Sequence, residues 1–201
     1  MQNSNELCPV LFIPHGGGPL PLLGDLNHQT LVGFLKEITP DLGFPSSILI
    51  ISAHWEEEIA TITSGKNPPL IYDYYGFPDQ AYAIEYPVVG NPELAEKIYH
   101  FLQADSIEAK LDDERGFDHG VFVPLKIMYP EANIPCMQLS LLNSLSSESH
   151  IKIGKALSKL RRENILIIGS GFSFHNMKAL MSGSSNEDHK NEQFEEWLIE
   201  T

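Results

Sequence analysis

Short, wholly apolar runs alternate along this chain with longer stretches whose apolar residues recur every three or four positions. The first kind reads as buried β-strand and the second as amphipathic helix. "PVLFIP" (9–14) is a buried strand, and in "LNHQTLVGFLKEIT" Leu31, Phe34, Leu35 and Ile38 fall at helical spacing. "SILIIS" and "IATITS" predict a second and a third strand. Asn91-Pro92-Glu93 is a helix start: a capping side chain, a proline where its missing N–H costs nothing, and an acid at the positive end of the dipole. "ELAEKIYHFLQ" continues that helix, and "IPCMQLSL" is another strand. Ser146 and Ser147 open a helix through "SHIKIGKALSKLRRE", whose basic end, Lys159 to Arg162, suits a helix C-terminus. "NILIIGSG" is the last clear strand. Strand and helix alternate throughout, which predicts an α/β fold: a single domain whose central, mostly parallel sheet is flanked by helices.

The tail breaks the rhythm. "MSGSSNEDHKN" (181–191) reads as a flexible polar loop, and "NEQFEEWLIET" as a helix with Phe194, Trp197 and Leu198 on one face. That helix reaches Thr201 with no glycine, proline or basic residue to stop it, and Glu195, Glu196 and Glu200 crowd the negative end of its dipole. The expectation is one domain over residues 1–201 that lacks its C-terminal part.

Charge narrows the partners. Asp and Glu number 27 against 13 Lys and Arg, a formal net charge of -14. Nucleic-acid binders need basic surface to displace counterions from phosphate, so neither a nucleic acid nor an anionic membrane is expected as a partner. A polyanion would need a locally positive site such as a metal. Cys8 and Cys136 form neither a disulfide framework nor a C-x-x-C pair. "MQNSNELCP" has no basic and apolar regions of a signal peptide, and no run approaches the roughly 18 apolar residues of a membrane helix. A soluble, cytoplasmic protein is expected; no coiled coil or broad apolar stripe speaks to its oligomeric state.

Candidate chemistry lies in the histidines. Open α/β sheets bind ligands at the carboxyl ends of their strands. His15 follows the first strand and opens the turn "HGGGP"; His54 follows "SILIISA"; His175 stands in "GFSFHN", just after "NILIIGSG". A fourth, His119, sits in "ERGFDHGVFVP", with Asp118 beside it as a possible orienting carboxylate. Neutral imidazole is the commonest protein ligand for zinc and non-haem iron, and the glycines after His15 let backbone pass close to an ion or substrate. Singly, each histidine reads as an ordinary hydrogen-bonded residue; three that each terminate a strand point to a metal or catalytic site. His28, His100, His150 and His189 fall in helical or loop patterns and read as structural. Other motifs fail: "GSGFSF" lacks the third small residue of G-x-G-x-x-G, "HWEEE" is not H-E-x-x-H, and no G-x-S-x-G supports Ser170 or Ser173 as a nucleophile. Glu56 to Glu58 read as a solvated charge run. The aromatic stretch "IYDYYGFP" reads equally as a wall for a flat substrate or as a packed turn.

"PHGGGP", "ISAHWE", "YDYYGFP", "GFDHGVFVPL" and "GSGFSFHN" stand in the order and spacing of the class III extradiol ring-cleavage dioxygenases, which the chain resembles from Leu11 to Asn176. The likeness is nearest to the branch of the 4,5-DOPA extradiol dioxygenases. It implies a single α/β catalytic domain. His15 and His54 match the first two metal-binding histidines; His175 matches an acid/base histidine or further metal contact, and His119 one that places substrate or dioxygen. The family's remaining ligand lies near the C-terminus, and no residue of this chain matches it. The resemblance also implies a small catecholic substrate, O₂ and Fe(II), with Zn(II) able to occupy the same histidines. His175 would take a catechol proton and later return one. Two other functions fit the same residues: a zinc hydrolase, and a non-enzymatic binding protein similar to the Memo family.

Overall fold

The computed structural model describes residues 7–173, 175 and 185–200. Its contacts divide the chain into two compact units, one ending at Gly171 and the other Phe172–Thr201. The first unit carries six strands: β1 (Val10–Ile13), β2 (Ser47–Glu57), β3 (Ala60–Thr63), β4 (Ala109–Asp112), β5 (Cys136–Leu142) and β6 (Ile165–Ser170). They form one sheet in the order β1-β6-β2-β5-β3-β4, in which only the β3/β5 pair is antiparallel. The α/β fold with a mostly parallel sheet is therefore the one expected.

Four helices cover the sheet: α1 (Gln29–Leu42), α2 (Pro92–Ala104), α3 (His119–Met128) and α4 (Ser147–Leu157). Side chains alternate across a strand, so the apolar runs of β2 and β6 each feed two cores. Ile48 and Ile50 of β2, with Leu166 and Ile168 of β6, pack on one face with Leu35 of α1 and Phe122 and Leu125 of α3. Leu49 of β2, with Ile165 and Ile167 of β6, packs on the other with Leu94, Ile98 and Leu102 of α2 and Ile153 and Leu157 of α4. Burial on both faces is why these central strands read as unbroken apolar runs. The caps at Asn91 and Ser146 form as expected: Asn91 Oδ1 accepts from Leu94 N at 3.1 Å and Ser146 Oγ from Ser149 N at 3.3 Å.

Five elements differ from the sequence expectation. β1, read as a buried strand, lies at the sheet edge with Val10 and Phe12 exposed, and β4 was not expected. β2 runs on to Glu57 instead of stopping near Ser52, because beyond its break from β5 it pairs again at Glu56 and Glu57. The apolar segment after His119 is the helix α3, buried from His119 to Leu125 without interruption. In the second unit, α5 (Ser185–Glu200) begins inside the stretch read as a polar loop, whose residues 181–184 lie outside the described residues. Along α5 the rings of Phe194 and Trp197 stack at 5.7 Å. Among the described residues no helix is long and apolar enough to cross a membrane.

Because Phe122 is fully buried in the core between α3 and the sheet, Phe122→Ala is expected to lower the unfolding free energy by about 3–5 kcal/mol. Phe44, 78% exposed, should change it by no more than about 0.5 kcal/mol when cut to Ala. Urea unfolding of the two variants measures the difference.

A candidate metal centre of three histidines

One ladder register builds the site. Ser170 of β6 lies opposite Ile13 of β1 and opposite Ser52 of β2, so β1 and β6 end abreast of the point at which β2, which runs on to Glu57, leaves its register with β5. His15 follows two residues after Ile13, and His54 two after Ser52. Between Ile51 and Glu56, β2 breaks register with β5, and such irregularities re-aim side chains; His54 sits in that stretch. His119 arrives differently, as the first residue of α3. Leu70 and Phe117 form a parallel bridge, with Ile71 N donating to Phe117 O and Phe117 N to Pro69 O, both at 2.8 Å. That bridge draws the Asp73 segment along the residues leading into His119.

The three imidazoles converge. One ring nitrogen from each of His15, His54 and His119 lies within 4.8 Å of the other two, the only such cluster of possible metal-binding side chains among the described residues. The ring centroids of His54 and His119 are 4.0 Å apart, those of His15 and His54 4.9 Å, and those of His15 and His119 5.1 Å. His15 and His119 are buried and His54 is exposed, so the cluster opens to solvent on one side. His175 belongs to the second unit, where its exposed ring stands 6.2 Å from that of Phe172.

Asp73 holds two of the rings, a role no local sequence signal marks. Its Oδ1 accepts from His119 Nδ1 at 2.8 Å and from the His119 backbone N–H at 2.9 Å; its Oδ2 lies 3.6 Å from His54 Nδ1. Burial alone would raise the Asp73 carboxyl, but the hydrogen bonds from His119 and the charges of His119 and His54 hold it below its ordinary value. An ionised carboxylate only accepts, so His119 carries its proton on Nδ1 and leaves Nε2 as the donor atom. The carboxylate also sits at the positive end of the α3 dipole.

Asp118, expected to orient His119, does something else. It is fully buried and accepts from Ser52 Oγ at 2.7 Å, from Gln138 Nε2, and from Arg115, whose guanidinium lies 4.3 Å from the centre of the Trp55 ring. Ser52 Oγ in turn accepts from His54 N at 3.2 Å. Asp118 thus ties β2, β5 and α3 together beneath the histidines. Glu57 accepts from Trp55 Nε1 at 3.0 Å and Lys110 Nζ at 3.1 Å, while Glu56 and Glu58 are exposed, as a solvated charge run would be.

The glycine turn after His15 is braced by His28, whose Nε2 accepts from Gly17 N at 3.0 Å while its Nδ1 meets Asp25 Oδ2 at 2.7 Å. The structural reading of His28 fits these bonds. In the aromatic loop, Tyr72 and Tyr74 donate to Ile84 O and Ala81 O at 2.7 and 2.6 Å. Burial, then the neighbouring Tyr72, Asp73 and Tyr82, push the Tyr74 hydroxyl up to about 12, so it stays protonated as a donor. The loop is packed, with Tyr74 against His119 at 5.8 Å between rings.

The donor set fits a cation. His15 Nε2 and His54 Nε2 face each other at 3.0 Å. Two unprotonated nitrogens at that distance repel, so either one ring donates an N–H to the other or both turn their lone pairs to a bound cation. Three imidazoles with one carboxylate behind two of them are a usual environment for zinc or non-haem iron.

Comparison with known proteins agrees with this geometry. Residues 10–201 match the family described as the catalytic LigB subunit of aromatic ring-opening dioxygenase. The chain is 44% identical over 194 residues to a protein named Dioxygenase tasH from Hapsidospora irregularis, covering 92% of this chain and 60% of that one. It is 40% identical over 167 residues to a 4,5-DOPA dioxygenase extradiol of Portulaca grandiflora, covering 82% of this chain and 60% of the relative. A crystal structure of an uncharacterized protein from Escherichia coli K12 superposes with a TM-score of 0.62 at 32% identity, over 74% of this chain and 55% of that chain. The chain spans about three fifths of the length of these two named relatives.

Gly16 has φ +81°, and a Cβ built on it would stand 2.4 Å from Pro21 Cγ and 2.8 Å from His28 Cδ2. Gly24 has nearly the same φ, +79°, with nothing within 4 Å. Gly24→Ala should therefore cost only the backbone strain, about 1–2 kcal/mol, and Gly16→Ala clearly more. Parallel urea titrations check the order.

Proposed function

Because the chain belongs to the LigB family of aromatic ring-opening dioxygenases, we propose that it opens a catechol ring with dioxygen at the cluster of His15, His54 and His119. The observation that carries this reading is the approach of the three imidazoles to within 4.8 Å, beside the carboxyl ends of β1 and β6, the edge at which open α/β sheets bind their ligands. The names of relatives such as the Portulaca protein make DOPA the first catechol to try.

His15 and His54 are assigned as metal ligands on their facing Nε2 atoms, with His175 as a further contact or as the acid/base group on its place in "GSGFSFHN". Fe(II) is the ion assigned; when bound it would lower a hydroxyl pKa, as zinc on the same imidazoles also would, and supply redox access to dioxygen, which zinc does not. His119, with Nδ1–H committed to Asp73, presents Nε2 as an acceptor for a catechol hydroxyl. Asp73 selects the Nδ1–H tautomer of the neutral ring and holds the ring's direction. Its lowered pKa keeps it ionised through the neutral range. Placing both reactants against fixed imidazoles replaces a random encounter with a set geometry.

The protein loaded anaerobically with Fe(II) and given DOPA should yield a yellow ring-opened product only when air is admitted, with matching O₂ consumption. Turnover of an ester or amide without O₂ would instead make it a zinc hydrolase, and retention of a partner protein with no turnover a binding protein. His15→Ala and His54→Ala should each abolish ring opening. Asp73→Asn keeps the shape but removes the charge behind two rings; zinc affinity, read by competition with a chromophoric chelator, should fall about 10–100-fold.

A further inference from the structure

The hydroxyl of Ser170 sits between two groups it serves at once. Its Oγ is 2.5 Å from Gly120 O and 2.9 Å from His15 Nδ1, and Ser170 is buried, 2% exposed. Two oxygens so close need a hydrogen between them, at the short end of O–H···O distances. A carbonyl has none to give, so the single Ser170 proton is spent on Gly120. What remains for His15 is an oxygen lone pair, and Nδ1 must then be the nitrogen that carries the proton.

The reason lies in α3. In an α-helix the Gly120 carbonyl accepts from the N–H four residues on. That residue is Pro124, which has no N–H. A buried carbonyl without a partner costs about 1–3 kcal/mol, and Ser170 meets the need from the neighbouring strand end. Position 120 is crowded from the β2 side as well: a Cβ there would meet Ser52 Oγ at 2.3 Å. The β1/β6 register places Ser170 opposite Ile13, two residues before His15.

We propose that Ser170 is a positioning residue that fixes the tautomer of His15: the proton-poor carbonyl at Gly120 orients the Ser170 hydroxyl, which holds His15 as Nδ1–H and turns its unprotonated Nε2 toward His54. The consequence for metal binding rests on the ring-opening reading above; the tautomer does not. The two are separated by two measurements on the same protein.

The first is long-range imidazole ¹⁵N–¹H NMR of the metal-free protein, with His15 assigned through His15→Gln. The expected spectrum shows a pyrrole-type Nδ1 and a pyridine-type Nε2 for His15. Ser170→Ala should shift the ring toward a mixture of tautomers, and Ser170→Thr, which keeps the hydroxyl, should restore the wild-type pattern. A proton on Nε2 of His15 in the wild type, or a Ser170→Ala spectrum identical to it, overturns the proposal. The second is zinc affinity by chelator competition, expected to fall about 10–100-fold in Ser170→Ala and to stay near wild type in Ser170→Thr. A wild-type protein that shows the expected tautomer but binds no zinc would count against the metal reading and leave the role of Ser170 standing.

Discussion

A single register in a parallel ladder governs this molecule's chemistry. With Ile13, Ser170 and Ser52 abreast, β1 ends level with the place where β2 breaks register with β5, and the residues two positions on from Ile13 and Ser52 are both histidines. A slip of one residue turns every side chain of a strand to the other face. Here it would carry Ser170 away from both His15 and Gly120, and Ser52 away from Asp118. The apolar pattern prevents that slip. Leu166 and Ile168 belong to one core and Ile165 and Ile167 to the other, so β6 cannot move without exchanging the contents of both. The packing that holds the fold is thus the same packing that aligns the histidines.

Two carboxylates meet the N-terminal end of α3, and their burial separates their work. Asp118 is fully buried and has Arg115, Ser52 and Gln138 around it, with the Arg115 charge spread against the Trp55 ring. A buried charge so surrounded is fixed in place, and removing one partner leaves the rest uncompensated. Asp73 is partly exposed and spends both oxygens on histidines. Its loop is held by the Leu70 bridge to Phe117, which anchors the carboxylate without immersing it. In a chain of net charge -14, a positive site is most readily made by a bound cation, and these carboxylates lie around such a site.

What the sequence disclosed follows from which forces are local. β2, β5 and β6 were legible because strands buried on both faces are continuous apolar runs, and the helix starts at Asn91 and Ser146 because capping is a short-range bond. His15 and His54 stood out as polar residues at the ends of apolar runs. α3 was not readable as a helix, since "HGVFVPLKIM" is buried nearly all round and so shows no helical stripe, and it contains Pro124. β4 was missed because Lys110 and Leu111 are exposed and its four residues carry little pattern. Asp73 lies 46 residues from the histidine it orients, and Asp118, next to that histidine, had looked the better partner. Only the bridge between Leu70 and Phe117 reverses that choice.

The aromatic loop shows why a residue type alone does not assign a role. Tyr72, Tyr74, Tyr82 and Phe122 lie ring to ring at 5.5–6.4 Å, and two of the hydroxyls are tied to backbone carbonyls. Large rigid rings order a segment that has almost no secondary structure, at little cost in side-chain entropy because each has two rotatable bonds. What that order delivers is the position of Asp73. The face toward the candidate site is left to imidazoles, a side chain whose nitrogens can bind a cation and exchange protons near neutrality, while Tyr74, its hydroxyl pushed up to about 12 by burial, stays a fixed donor to Ala81 O.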